Sequence, residues 1–286
     1  MSLLVTKKPL AWIVDSTAYV SPELQEHPDF FSVPLNIHFG YKQYVDGVDL
    51  TPEQLYSKIK TANEFPKTSQ PSAGEFAERF KEIAENYDEA IAVHVSAKMS
   101  GTLASSTGGA EISGFPVTFI DSLSLSYGIT GLIERGMDMH KNGATVPEIK
   151  KELDTMSGNC KNFILIGKLD QLYKGGRMSA AQFYLGSLLK VKPIVQISKE
   201  GELQAIEKVR SEKRALQYLI NKVSEAGLSG VKKIHLMQGN IPDQAENLKK
   251  MIIEQVPTMK VEIGDISSVL AVHAGEGTLA ILWFED

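Results

Sequence analysis

The chain has 286 residues, 30 Lys and Arg against 35 Asp and Glu, a net charge of −5 and 43% apolar residues. At about 150 residues per domain this length predicts two domains, with enough apolar content for a real core. Mild acidity without a basic run excludes nucleic acid as the main partner, and the single cysteine, Cys160, excludes a disulfide framework or a multi-cysteine metal site.

Taken in chain order, Lys7 and Lys8 are followed by only five apolar residues, Leu10 to Val14, which predicts no signal peptide. No apolar run reaches the ~18 residues of a membrane-spanning helix. A cytoplasmic protein is expected. Residues 11–15 read as a strand, and Ser21-Pro22-Glu23 as a helix start with Ser as N-cap. Residues 31–39 read as one longer strand, followed by an Asp46-Gly47 turn. Three capping boxes open helices, at Thr51 to Gln54, Ser72 to Glu75 and Thr145 to Glu148. Strands at 90–95 and 117–121 alternate with helices at 102–112 and 127–141. This alternation predicts a parallel sheet covered by helices.

The second half reads differently. Residues 163–166 form a short strand, and 190–198 with 203–209 a hairpin around Gly201. A helix at 212–226, then strand, helix and strand at 234–238, 243–256 and 260–263, follow. The last two strands are expected at 269–273 and 279–284. The fold class is therefore α/β: an N-terminal parallel-sheet α/β domain, residues 1–160, and a C-terminal α+β domain with a mixed sheet, residues 161–286.

Some motifs lead nowhere. Gly275-Glu276-Gly277 followed by Ala280 fits the dinucleotide fingerprint G-x-G-x-x-[GA], but only nine residues follow Gly277, too few for the helix and second strand it needs. The six histidines show no metal-ligand spacing. Three hydroxyl-rich turns are more informative. Ser96-Ala97-Lys98-Met99-Ser100-Gly101-Thr102 lies between a strand and a helix, where free N–H groups and the helix dipole favour an anion. Ser100 can equally be a plain N-cap. Thr68-Ser69-Gln70-Pro71-Ser72 precedes another helix, with Ser72 as its cap and Thr68 free. Asp15-Ser16-Thr17 is the third, where the acid can orient neighbouring hydroxyls or serve as a cap. Gly175-Gly176-Arg177 marks a sharp turn whose Arg can clamp a carboxylate or phosphate.

The ordered set resembles the DegV family of fatty-acid-binding proteins. It comprises Val14-Asp15-Ser16-Thr17, Val33-Pro34-Leu35, Tyr44-Val45-Asp46-Gly47, Thr68-Ser69-Gln70-Pro71-Ser72, Ser100-Gly101-Thr102, Ile120-Asp121-Ser122, Gly175-Gly176-Arg177, Lys192-Pro193-Ile194 and His273-Ala274-Gly275. The resemblance implies a non-catalytic protein that encloses one long-chain fatty acid between two domains and needs no cofactor. It places the carboxylate on Thr68, Ser100 and His273, supported by Ser69, Gly101, Thr102 and Asp15. It further implies that a separate ATP-dependent fatty acid kinase subunit phosphorylates the carried acid, with Arg177 and Arg210 near that partner or phosphate. A monomer is expected. The stretch before Ser100 departs from the family in carrying Ala97-Lys98-Met99.

The chemistry is consistent with this expectation. A buried carboxylate needs charge-assisted donors, and about 15 buried methylenes carry a gross transfer energy near 12 kcal/mol. Tunnel walls are expected from residues 163–166 and 183–189. The competing reading is a serine hydrolase, with Ser100 as nucleophile, His273 as base and Asp15 or Asp121 as orienter. The sequence lacks a G-x-S-x-G elbow.

Overall fold

The computed structural model describes residues 10–62, 64–178 and 192–285; the expected wall segment 183–189 lies outside them. The N-terminal half runs β1 (Leu10–Asp15), α1 (Pro22–Gln25), β2 (Phe30–Val33), β3 (Asn36–Phe39), β4 (Lys42–Val45), α2 (Pro52–Thr61), β5 (Lys67–Ser69), α3 (Ala73–Ala84), β6 (Glu89–His94), α4 (Thr102–Ser113), β7 (Val117–Asp121), α5 (Tyr127–Lys141) and α6 (Val146–Ser157). It continues with β8 (Cys160–Leu165), α7 (Leu169–Lys174), β9 (Lys192–Ile197), β10 (Leu203–Val209), α8 (Glu212–Leu228), β11 (Lys233–Gln238), α9 (Pro242–Gln255), β12 (Lys260–Asp265), α10 (Ser268–Ala274) and β13 (Leu279–Phe284).

The first sheet has strand order β2-β1-β6-β7 and is parallel throughout. Its apolar strands are covered on both faces, as parallel sheets require. Leu10, Trp12 and Val14 of β1 pack with Ile129, Leu132 and Ile133 of α5. The alternate residues Ala11 and Ile13 pack with Phe76 and Phe80 of α3. All three capping boxes form, at Thr51, Ser72 and Thr145.

The second sheet has strand order β10-β9-β8-β13-β11-β12 and is antiparallel except for the β11–β12 pair. Period-two alternation divides its residues. Phe163 and Leu165 of β8, with Leu279 and Ile281 of β13, face Leu219 of α8 and Leu248 of α9. Ile164, Ala280 and Leu282 face the other way, into a cluster shared with Leu35, Ile37 and Leu55 of the N-terminal half. The apolar seam between the two halves is therefore built by the inner face of this mixed sheet. The fold class is α/β, with a parallel sheet and a mixed sheet as the sequence implies.

Three expectations are corrected. Residues 31–39 are not one strand. Pro34 has no N–H to donate, and Leu35 N–H donates to Ser16 Oγ at 3.0 Å. The chain leaves the parallel sheet there, and β3 joins a small antiparallel sheet of order β4-β3-β5. Thr68 accordingly sits on a strand, opposite Ile37, and not in a loop. Residues 269–273 are not a strand but most of α10. Ser267 caps its start, and Gly275, at φ 78°, ends it. Helix α7, just before the Gly175-Gly176 turn, had no counterpart in the sequence reading.

Asp46 braces the N-terminal side of this seam. It is buried and accepts a 2.7 Å hydrogen bond from Ser16 Oγ. Burial outweighs this bond and raises its pKa to about 6. The folded state thus holds the proton more tightly than the unfolded chain does. Its stabilising share is full below the unfolded pKa near 4 and is lost as pH rises through about 6. Asp46→Asn is expected to raise Tm relative to the parent at pH 8 and to leave it nearly unchanged at pH 4, measured by thermal denaturation.

Candidate functional site

An open cavity occupies the seam between the halves, with about 900 Å³ of empty space when the open solvent at its mouth is included. Most of its wall is apolar and comes from both: Leu35, Val95 and Leu125 from one, Ile164, Met237 and Leu282 from the other. Of the expected wall segment 163–166, Ile164 and Ile166 line the cavity, while Phe163 and Leu165 point to the opposite face of the sheet.

The polar groups gather from separate elements. Thr68 on β5 and His273 at the end of α10 meet through a 2.8 Å hydrogen bond between Oγ1 and Nε2. Ser100 lines the same cavity. It is not the N-cap of α4; that position is Gly101, which makes no side-chain cap bond. The Ser100 hydroxyl shares a 2.8 Å hydrogen bond with Thr102 Oγ1 and accepts one from Thr102 N–H. Arg177 reaches the cavity from the turn after α7, donating from Nη1 to the Gly175 carbonyl at 2.6 Å and from Nε to the Met99 carbonyl at 3.3 Å.

Glycine at 175 is a packing requirement. A Cβ there would lie 2.2 Å from His273 Nδ1. The turn therefore seats the imidazole and aims the guanidinium together. His273 Nδ1 is buried without a hydrogen-bond partner among the described residues. Burial, reinforced by the nearby positive charge of Arg177, pushes its pKa down to about 3, so the ring is neutral at pH 7. Arg177 is half-buried. Burial lowers its pKa, and no carboxylate among the described residues offsets that cause. An apolar cavity thus carries one cation without a counterion among the described residues, two hydroxyls and a neutral imidazole.

The remaining candidates fall outside this cluster. Asp15 is fully buried behind the wall, accepting from Thr17 Oγ1, Thr17 N–H at 3.0 Å and Val95 N–H at 2.8 Å, with His94 Nδ1 at 3.1 Å. Burial alone would raise its pKa, but these partners outweigh it and hold the carboxylate below its usual range. It positions Thr17, which does line the cavity. Ser69 is turned to His38, at 2.9 Å from Nε2. Gly101 leaves room for Gln70, whose Nε2 would lie 2.8 Å from a Cβ there. Thr102 is buried and orients Ser100. Arg210 is exposed and is not part of the lining. Lys98 faces Glu202 at 3.8 Å. Gln70, Thr17 and Ser126 also line the cavity, and the sequence reading gave them no role.

The hydrolase triad is not assembled. His273 Nε2 bonds Thr68, not Ser100, and its Nδ1 meets no carboxylate. Asp121 accepts from Ala97 N–H and Leu123 N–H. A different Ser–His–Asp chain does exist. His94 Nε2 lies 2.9 Å from Ser106 Oγ, and Nδ1 lies against Asp15. All three residues are at 0% exposure, sealed from any substrate, so this chain links sheet to helix. Among the described residues no cluster of ligating side chains can hold a metal, and no helix is long and apolar enough to cross a membrane.

Comparison with known proteins converges on one family. A DegV domain-containing protein of Staphylococcus aureus strain COL is 32% identical over 271 residues, covering 94% of this chain and 96% of the relative. The solved structure of a fatty acid binding DegV family protein from Streptococcus agalactiae superposes with a TM-score of 0.89 at 28% identity, covering 98% of this chain and 99% of that one. That of DegV, a fatty acid binding protein from Bacillus subtilis, gives 0.87 at 28% identity over 97% and 100%. The model of the family described as "Uncharacterised protein, DegV family" matches residues 9–286, and the chain belongs to the DegV family.

Proposed function

We propose that this protein is a non-catalytic, cytoplasmic carrier of one long-chain fatty acid. The carboxylate would bind Thr68, Ser100, His273 and Arg177, and the tail would lie along the apolar seam. One observation carries the reading: a half-buried guanidinium with no counterion among the described residues, at an otherwise apolar cavity. Desolvating a cation without a partner is costly, and an anionic head on a hydrocarbon tail satisfies both parts of such a site. The solved relatives described as fatty acid binding support it. We take residues 1–160 and 161–286 as the two domains that close on the acid. The carried carboxyl would then be offered to a separate ATP-dependent kinase subunit, with Arg177 beside the carboxyl and the exposed Arg210 at the docking surface.

Binding should be visible at His273. A carboxylate within a few ångströms favours the imidazolium, so the depressed pKa of the empty site rises on loading. Histidine NMR titrations are expected to show a neutral His273 between pH 5 and 8 without ligand and a higher titration midpoint with palmitate bound. An unchanged midpoint would place the carboxylate elsewhere. Labelling of Ser100 by a fluorophosphonate probe would instead favour the hydrolase.

A further inference from the structure

The Ser126 hydroxyl has no part in the head-group cluster. Ser126 is 1% exposed and lines the cavity. Its N–H donates to the Thr17 carbonyl at 2.9 Å, and its own carbonyl accepts from Ile129 N–H at 3.0 Å. Its Oγ is buried and has no hydrogen-bond partner among the described residues. Ser126 occupies the N-cap position of the 15-residue α5, yet makes no capping bond. Its backbone is at φ 53°, ψ −127°, a glycine-favouring conformation in place of the extended one of an ordinary N-cap.

The turn also requires small flanks. A Cβ at Gly128 would lie 2.2 Å from Ser124 Oγ. Ser124-Leu125-Ser126-Tyr127-Gly128 thus has the small-x-Ser-x-small form of a nucleophile elbow, with Ser124 where such elbows carry glycine. A nucleophile needs a base in contact, and no described residue bonds this hydroxyl.

We propose that Ser126, at the N-terminus of α5, is a second polar station in the cavity, one that takes an oxygen carried on the hydrocarbon chain. The ligand class is a hydroxy or oxo long-chain acid. This rests on the fatty-acid reading above. Thr68, Ser100, His273 and Arg177 make their bonds without Ser126, so head and chain are recognised separately. A plain acyl chain leaves the buried hydroxyl unsatisfied, whereas a chain oxygen at this depth pairs with it. The positive end of α5 favours that oxygen further.

The test titrates stearic acid, and a series of stearic acids with one hydroxyl at successive carbons, into the parent, Ser126→Ala and Ser126→Gly proteins. The glycine variant suits the backbone conformation and guards against misfolding. For at least one hydroxyl position the parent is expected to bind the hydroxy acid more tightly than stearate. Both variants should lose roughly tenfold for that acid, with stearate held as before or more tightly. Equal hydroxy-to-stearate ratios in all three proteins at every position would overturn the station and leave the carrier standing. If the parent binds neither stearate nor any hydroxy acid, the carrier reading fails, and the station with it.

Discussion

Ala280→Phe is expected to weaken palmitate binding roughly two-hundredfold while leaving the fold intact. Ala280 sits on β13 with its side chain on the cavity face of the mixed sheet, beside Ile164 and Leu282. A phenyl ring there projects into space that the acyl tail would use. Displacing about four methylenes at ~0.8 kcal/mol each removes roughly 3 kcal/mol of binding. Overpacking commonly destabilises a protein, but here the ring enters a cavity, so Tm should hold or rise. Fluorescence displacement titrations together with thermal denaturation separate the two effects. Undiminished affinity would mean that the tail lies elsewhere.

Arg177→Met carries the second largest effect. It keeps an unbranched stem and removes the cation from the cavity end. Loss of a charge-assisted hydrogen bond to a carboxylate is worth about 1.5–3 kcal/mol, or roughly ten- to a hundredfold in Kd. The ligand-free protein should lose little, because among the described residues the guanidinium has no carboxylate partner and donates to the Met99 and Gly175 carbonyls. Weakened binding together with near-parental Tm is therefore the expected pair of results. A large fall in Tm with unchanged affinity would make Arg177 a structural residue.

Much of this architecture was legible in local chemistry. The three capping boxes and the buried strands β1 and β6 each carry their own signal, a side-chain cap or an unbroken apolar run. Where signals conflict, length and caps decide. Residues 269–273 read as an apolar strand, yet Ser267 and Gly275 bracket a helix of two turns, and a run of five residues cannot tell the two apart by period. The break between β2 and β3 depended on Pro34 and on a hydroxyl from Ser16, nineteen positions away in sequence. That second part is a tertiary contact no window reveals.

The site divides the same way. Thr68, Ser100, His273 and Arg177 were legible as members of motifs, and the structure brings all four to one cavity. Their mutual geometry was not. The Thr68–His273 bond spans 205 positions, and the seating of the imidazole depends on the absence of a Cβ at Gly175. Ser126 was invisible because its signature is a backbone conformation, and Ser-x-Ser-x-Gly is common in ordinary turns.

Native mass spectrometry of the protein made in bacteria and purified gently tests the central claim most directly. The account predicts the chain plus one C14–C18 acid, removed by delipidation and restored one-to-one by palmitate or oleate. A bare chain mass that takes up neither acid would contradict it.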